Sequence, residues 1–403
     1  MIRIALLGFG VVGSGTAEVL TENRALLAAR AGEEIDIRYI LDRREFPDHP
    51  LGDRVVHDIA PILADPEIRV VAEMMGGAHP AYEFTRAALE AGKSVVTSNK
   101  EVVATFGAEL LEIARAHGVS YLFEASVGGG IPIIRPLRDD LASNRILSVS
   151  GILNGTTNFI LTEMGESGVT FASALAEAQK RGYAEADPTA DVEGLDAARK
   201  IVILAALSFG ILLSPSEITV KGITRLTGEQ TEVAESLGCA VKLIGHTERI
   251  GDRVLALVEP HMVSEGNPLR HVNGVYNGIL VDGNMLGRAF FYGAGAGKLP
   301  TASAVVADIL NAVSPAENLQ LPTWRVATKA DYASPELRRV RRCFVLSGCA
   351  NCAEKTKPFF GYDSYIVRDG RFAFLSRPMT EVEANEALDA CGKKLLWFMP
   401  VLD

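Results

Sequence analysis

Asp196 and Lys200 stand four residues apart at the head of the apolar run IVILAAL. On a helix, i and i+4 share a face, so the carboxylate and the ammonium can meet across one turn. On a surface such a pair contributes little. At the head of an apolar helix it is expected to be buried, where an unpaired charge is costly and a retained pair points to function. The loop before it holds Glu185, Asp187 and Asp191, a surplus of negative charge suited to an ammonium group. Asp187, beside Pro188, reads as a solvated turn residue.

A second set of residues speaks for a nucleotide. Gly8-Phe9-Gly10-Val11-Val12-Gly13 is a GxGxxG placed where the strand-like Ile2–Leu7 ends and a helix begins. In that context Gly8 permits the tight turn, Gly10 lets the backbone approach a pyrophosphate and Gly13 lets helix and strand pack closely. Asp42 ends the second strand candidate, where an acidic residue binds the adenosine ribose, and Arg43 and Arg44 follow it. Asp42 alone favours NAD, and Arg43 could pair with the 2′-phosphate of NADP, so both cofactors stay open. The separation from Gly13 to Asp42 exceeds the usual ~20 residues, so the first helix or its loop must be extended. Lys100 follows a strand candidate ending at Thr97, on the side of a doubly wound sheet where ligands bind. A lysine merely solvated at a helix N-terminus would oppose the helix dipole, which favours a contact with cofactor or substrate.

The elements that position these residues read as an α/β protein. Strand candidates Ile2–Leu7, Ile35–Leu41, Val70–Met75, Ser94–Thr97 and Ser120–Glu124 alternate with helical Gly13–Leu27, Pro80–Ala91 and Phe106–His117. This is the pattern of a Rossmann doubly wound domain over residues 1–133, with its helices on a parallel sheet. An α+β substrate and dimerisation domain follows over 134–292, with strands such as Ile146–Leu153, Val254–Val258 and Gly274–Val281 and helices Ser173–Arg181 and Leu195–Leu207. The glycine-rich segment from Gly293 leads into a helix that packs back on the first domain, completing it over about 293–320. Residues 324–403 read strand, helix, strand, Asp369-Gly370 hairpin, strand, helix, strand, a small ferredoxin-like βαββαβ module.

Composition narrows the function classes. At 403 residues and 48% hydrophobic, the chain can bury more than one core. A net charge of -10 leaves no diffuse basic surface for nucleic acid, and the run Arg338, Arg339, Arg341, Arg342 reads as a solvated face. The N-terminus MIRIALLGFG enters a strand without a basic leader, and the apolar run from Ile201 to Leu213 falls short of the ~20 residues a bilayer requires. Five cysteines form no disulfide framework and point to a reducing compartment, so a soluble cytoplasmic protein with no membrane or nucleic-acid partner is expected. Cys349 and Cys352 form a lone CxxC, which lacks half the ligands of a zinc site and reads as ordinary thiols.

The block Ala178–Lys200, AQKRGYAEADPTADVEGLDAARK, resembles the signature of homoserine dehydrogenases at each fixed position. TSNKE (Thr97–Glu101), EASVGGGIP (Glu124–Pro132), GILNGTTNF (Gly151–Phe159) and GAGAG (Gly293–Gly297) are similar to that family's text and stand in its order. The resemblance covers residues 1 to about 312. It implies an oxidoreductase that interconverts L-aspartate 4-semialdehyde and L-homoserine with NADP or NAD, in threonine, methionine and isoleucine biosynthesis. By the same resemblance Lys100 and Lys200 handle the proton of the reacting oxygen, and Asp196 orients the substrate beside Lys200. Glu185 and Asp191 surround the substrate ammonium, with Gly155, Thr156, Thr157 and the signature's Tyr183 lining the pocket. Thr97, Ser98 and Gly295 correspond to nicotinamide-side contacts. Glu124 and the backbone carbonyls of Val127, Gly129 and Ile131 resemble a monovalent-cation site, usually sodium, of the oxygen-only kind that hard cations take. A homodimer or homotetramer is implied as well.

The resemblance thins in the tail. Many members end in an ACT module that binds threonine, and residues 324–403 have its element order, but the first strand is followed by SGCANCAEKTKPF in place of the usual Asp-x-Pro-Gly turn. A degenerate ACT-like module used for assembly is expected. No kinase text precedes Met1, which suggests a stand-alone dehydrogenase. Two other readings remain open: another Rossmann dehydrogenase of amino-acid metabolism, such as an L-aspartate dehydrogenase, or a non-catalytic dinucleotide-binding protein. An aspartate-semialdehyde dehydrogenase would need a nucleophilic cysteine, and all five cysteines lie after residue 238.

Overall fold

The computed structural model describes residues 1–313, 321–348 and 351–403. The chain divides into two compact units, one of residues 1–145, 202–215 and 293–327, the other of 146–201, 216–292 and 328–403.

In the first unit, strands β1 (Ile2–Leu7), β2 (Ile35–Leu41), β3 (Val55–Val56), β4 (Ile68–Glu73), β5 (Ser94–Thr97) and β6 (Tyr121–Leu122) form one parallel sheet in the order β3-β2-β1-β4-β5-β6. The order reverses between β1 and β4, the switch point at which open α/β sheets bind ligands. Ile4, Leu6, Val70, Ala72 and Val96 form the core with Val305 and Ile309 of the helix Lys298–Val313. Helices α1 (Val11–Glu22), α2 (Arg24–Ala31), α3 (Ala60–Ala64), α4 (Ala81–Glu90) and α5 (Lys100–Ala116) connect the strands. The separate α2, set off at Asn23, accounts for the long path from Gly13 to Asp42. Helix α5 begins six residues before the expected Phe106, because the Asn99 side chain accepts from the N–H groups of Glu101 and Val102. Apolar periodicity does not register such a cap. The unit also runs past residue 133 to Arg145, since the Glu124 carboxylate binds the N–H groups of Ile133, Ile134 and Arg135. It takes in 202–215 as well, where Ile211–Leu212 pairs in parallel with Arg325–Val326.

The second unit is built on strand β7 (Ile146–Ile152), flanked antiparallel by Tyr276–Gly283 and by Cys239–Ile250, which forms a long hairpin with Arg253–Ser264. Cys239–Ile250 is buried without a break from Val241 to Thr247, so it shows no polar-apolar alternation there and escaped the sequence reading. Helices α6 (Gly155–Ser167), α7 (Phe171–Lys180), α8 (Thr189–Val192) and α9 (Leu195–Phe209) follow β7 in the chain. The tail's strands lie in the order fourth-first-third-second, all antiparallel, as a ferredoxin-like module requires. It is not a third unit: its last strand pairs in parallel with Arg253–Ser264 through Met262–Val401 and Val263–Leu402, extending that sheet. No described helix is long and apolar enough to cross a membrane. Cys349 lies outside the described residues, and Cys352 is buried in the tail's core.

The basic run departs from expectation. Arg339 and Arg341 pair at the surface with Glu383 and Asp403, but Arg338 and Arg342 are buried. Arg338 Nη1 donates to His261 Nε2 at 2.8 Å and its Nε lies 3.5 Å from Glu248, while Arg342 donates to backbone carbonyls of Val340 and Met379. Two guanidiniums in one stretch serve the interior because carbonyls, a histidine and a carboxylate there satisfy them, which sequence spacing cannot reveal. Burial, and then the Arg338 charge, push His246 down to about 4 and His261 to about 3. Both histidines therefore fold neutral, and the unfolded chain binds more protons below their usual value near 6.5. This stabilising contribution is complete above about pH 6.5 and is lost as pH falls toward 4. Thermal unfolding at pH 7.5 and 5 is expected to show a drop in Tm that His246→Asn/His261→Asn reduces; an equal drop in the variant refutes the assignment.

Candidate active site

In the first unit, Gly8 has φ +89°, and a Cβ at Gly13 would lie 2.1 Å from the Gly8 carbonyl oxygen. The two glycines thus hold strand and helix at a distance no side chain permits. Around Gly10 no atom lies within 4 Å of a built Cβ, leaving open space at the N-terminus of α1, where no side chain caps the first-turn N–H groups. Uncapped donors with room before them suit a pyrophosphate. Val11 is exposed and Val12 half-buried on that turn. Phe9 serves the loop from within: its N–H donates to Asp42 Oδ2 at 2.8 Å and its ring packs against Phe46 and His49.

Asp42 is held on both oxygens by Arg44, through two guanidinium bonds of 2.9 and 3.0 Å and the Arg44 N–H at 3.0 Å. The guanidinium keeps its carboxyl well below the usual carboxylate range. Arg43 is exposed. Asn99 places Lys100 as the first residue of α5, at the C-terminal end of β5. The Thr97 hydroxyl is used inside the fold, accepting from Asn99 N at 2.9 Å, and Ser98 donates its N–H to the Glu73 carbonyl. Gly295 is buried against Gly129, whose built Cβ would lie 2.5 Å from the Gly295 carbonyl oxygen.

The second unit assembles a polar cluster around one ammonium. Lys200 Nζ donates to Asp196 Oδ2 at 2.8 Å and to the Leu153 carbonyl at 2.7 Å, with both side chains buried. The helical pair expected from the i,i+4 spacing is formed. Asn154, which the sequence reading passed over, organises the rest. Its amide donates to Asp191 Oδ1 at 2.7 Å and to Asp196 Oδ2 at 3.0 Å, while its Oδ1 caps α6 at Thr157 N. Asn directly before GlyThrThr at a helix start was a readable signal of that cap. Burial raises Asp191 above the usual carboxylate value against the Asn154 hydrogen bond, and Asp196 nearby raises it further. Gly155, Thr156 and Thr157 form the first turn of α6, and Thr156 Oγ1 donates to the Tyr183 carbonyl at 2.6 Å, tying the signature loop to that turn. A side chain at Gly245 would meet Leu153 Cδ1 at 2.8 Å and Ile201 Cβ at 3.4 Å, so this glycine lets the Lys200 helix and the Leu153 carbonyl pack together. Tyr183 is exposed, and Glu185 is exposed with no partner for its carboxylate among the described residues. Asp187 accepts from Thr189 in a solvated turn and stays apart from the cluster.

The nucleotide loop of one unit and the buried Asp-Lys pair of the other fall in segments that match known protein families. Residues 8–124 match the family model "Homoserine dehydrogenase, NAD binding domain" and residues 132–310 the model "Homoserine dehydrogenase". The homoserine dehydrogenase of Synechocystis is 44% identical over 319 residues, which span 77% of this chain and 73% of that protein. The chain belongs to the homoserine dehydrogenase family. The Neisseria gonorrhoeae homoserine dehydrogenase is 45% identical over 312 residues, 77% of this chain and 72% of that one. The crystal structure of a homoserine dehydrogenase from Thiobacillus denitrificans aligns over 100% of this chain and 98% of its own, with TM-score 0.89 and 36% identity. A hyperthermophilic archaeal homoserine dehydrogenase in complex with NADPH aligns over 79% of this chain and 99% of its own, with TM-score 0.67 and 29% identity. The protein is an oxidoreductase of this family with a Rossmann nucleotide-binding domain, and neither rival reading is favoured.

Proposed function

We propose that this enzyme interconverts L-homoserine and L-aspartate 4-semialdehyde with NADP or NAD. The observation that carries the reading is the Lys200 ammonium, buried and aimed by two acceptors, Asp196 and the Leu153 carbonyl. A bound nicotinamide supplies hydride exchange at the carbinol carbon. The chain's own part is charge and geometry. Lys200 stabilises the negative charge that develops on the substrate oxygen and holds or gives its proton. Asp196 orients that ammonium. Asn154 fixes Asp196 and Asp191 in one arrangement. Lys100, carried by the first unit, is assigned to the same proton handling. Asp191 and the exposed Glu185 attract the substrate ammonium, with Gly155, Thr156, Thr157 and Tyr183 around it.

The glycine loop fits the dinucleotide, with Gly8, Gly10 and Gly13 shaping it and the N–H groups of Val11, Val12 and Gly13 facing the phosphates. Arg44 neutralises Asp42, and exposed Arg43 stands beside it, so the ribose end carries no net repulsion for a 2′-phosphate. Ser98, Thr97 and Gly295 support the nicotinamide end. A sodium ion fits the Glu124 loop in a modified form. The Glu124 carboxylate is taken up by three N–H groups, whereas no donor reaches the carbonyls of Val127, Gly129 and Ile131 among the described residues. Those carbonyls would hold the ion, and Glu124 shapes the loop.

The same reading places the enzyme in the cytoplasm, in threonine, methionine and isoleucine biosynthesis. It assigns the C-terminal ACT-like module to assembly and the protein to a homodimer or homotetramer. Edge strand Gly287–Ala294, with Phe290 and Tyr292 exposed and Tyr276 stacked on Tyr292 at 5.3 Å, supports pairing with a second copy. The functional test is oxidation of L-homoserine with each cofactor at alkaline pH, where the released proton is taken up, and reduction of the semialdehyde in reverse. Folded protein that binds cofactor but catalyses neither direction refutes the reading.

A further inference from the structure

We infer that Glu73, a residue with no assigned role, is a positioning residue for catalysis: its buried carboxyl group locks together the two loops of the ligand crevice and fixes the turn that presents Lys100. The inference rests on Lys100 acting in the proposed reaction.

Glu73 is the last residue of β4 and sits in register beside Thr97, the last residue of β5. It has 0% exposure. Oε2 accepts the Thr97 hydroxyl at 2.6 Å, and Oε1 accepts Met75 N at 2.7 Å and the Asn99 amide at 3.4 Å. Asn99 carries the connection in both directions. Its N–H donates to Thr97 Oγ1, its amide donates to the Gly77 carbonyl at 2.8 Å, and its Oδ1 caps the helix whose first residue is Lys100. One carboxyl group thus ties the loop after β4, residues 75–77, to the turn after β5, residues 97–99, at the ends of adjacent parallel strands. Both loops lie on the C-terminal edge of the sheet, where such folds bind ligands.

The chemistry of the residue separates this role from ordinary packing. A buried carboxyl group without a cationic partner costs free energy that a neutral or apolar residue would avoid, and such groups concentrate where function needs them. No charged side chain contributes to its shift; burial pushes it up to about 7, opposed by the hydrogen bonds of Thr97, Met75 and Asn99. The other titratable group facing it is the buried Tyr121 phenol from β6, whose hydroxyl has no hydrogen-bond partner among the described residues. Ionised, Glu73 accepts all its donors. Protonated on Oε2, it must donate to Thr97 Oγ1, which already accepts Asn99 N–H, so the bond reverses, the Thr97 hydroxyl hydrogen is left without the acceptor it had, and the turn before Lys100 loosens. The α5 N-terminus repels an ammonium, which makes the Lys100 geometry dependent on how firmly that turn is held.

The test compares wild type with Glu73→Gln, which keeps the shape but replaces one acceptor by a donor, and Glu73→Asp, which keeps the charge on a shorter arm. Steady-state homoserine oxidation is followed from pH 5.5 to 9, with cofactor Kd by fluorescence and amide hydrogen exchange of residues 98–103. Glu73→Gln is expected to lower kcat about 10- to 100-fold, the scale of a small misplacement of a catalytic group, with cofactor Kd within about threefold. The wild-type inflection of kcat near pH 7 should vanish in Glu73→Gln and persist, displaced, in Glu73→Asp. Exchange over 98–103 should rise in Glu73→Gln. Wild-type kcat and an unchanged inflection in Glu73→Gln overturn the inference, as does a loss explained wholly by cofactor Kd. If wild type proves inactive on homoserine, the functional reading fails, and unchanged exchange at 98–103 still overturns this one separately.

Discussion

Lys200→Ala is expected to lower turnover on the order of 10² to 10⁴-fold while cofactor binding survives. The ammonium meets charge that exists only as the reaction proceeds, so its removal lowers kcat more than it raises KM. Its loss also strands Asp196, which keeps Asn154 as a partner but is buried without a cation; breaking such a pair costs on the order of 3–5 kcal/mol. Folding is therefore checked by circular dichroism, and Lys200→Arg, which keeps the charge, serves as a second variant. It should fold like wild type and remain slow, because a planar guanidinium cannot take the place of an ammonium aimed at a single oxygen. Lys100→Ala should lower turnover over the same range. Glu185→Ala, by contrast, should raise KM more than it lowers kcat, since an ammonium partner acts on ground and transition states alike. Near-normal turnover in both lysine variants would assign the proton to water or to another residue.

Gly13→Ala should raise the cofactor Kd about 100-fold or more, a change of roughly 2.7 kcal/mol. Its methyl group would sit 2.1 Å from the Gly8 carbonyl oxygen, a contact only backbone movement can relieve. Gly8 cannot easily yield, because it holds φ +89° and its own Cβ position lies 2.9 Å from the Met74 carbonyl oxygen. Strand β1 and helix α1 must then separate, and the N–H groups facing the phosphates move with them. Gly10→Ala is the control: among the described residues no atom from another part of the chain lies within 4 Å of the added methyl, so Tm should hold while the methyl intrudes on the space before the helix. Fluorescence titration with NADPH and NADH alongside thermal unfolding separates the two. Equal cofactor affinity in Gly13→Ala and wild type would show that the loop is not the nucleotide site.

Local chemistry made much of this legible beforehand. The glycine fingerprint lay between an apolar strand and a helix, and the sheet order around it is the one such a motif requires. The i,i+4 spacing and the apolar run after it were enough to anticipate the buried Asp196–Lys200 pair. Signals that depend on a single cap were missed: Asn99 starts α5 at Lys100 and Asn154 starts α6, and neither alters the apolar periodicity. Cys239–Ile250 was missed because a strand buried on both faces has no alternation to read.

Sequence alone determined the residue types, the strand-helix alternation of the first domain and the family, because short-range spacing and motif text are properties of the chain. Tertiary structure decided the partners. Asn154 joins Asp191 to Asp196 across 37 and 42 residues, and the Lys200 ammonium finds its second acceptor, the Leu153 carbonyl, 47 residues away. Arg338 and Arg342, which read as solvated, lie inside because His261, Glu248 and carbonyls from other segments satisfy them. The tail joins the second unit's sheet through two residue pairs from strands more than a hundred residues apart. Burial, and with it the elevated Glu73 and Asp191 and the depressed histidines, depends on which segments cover a group. That follows from packing the whole chain, which no local pattern encodes.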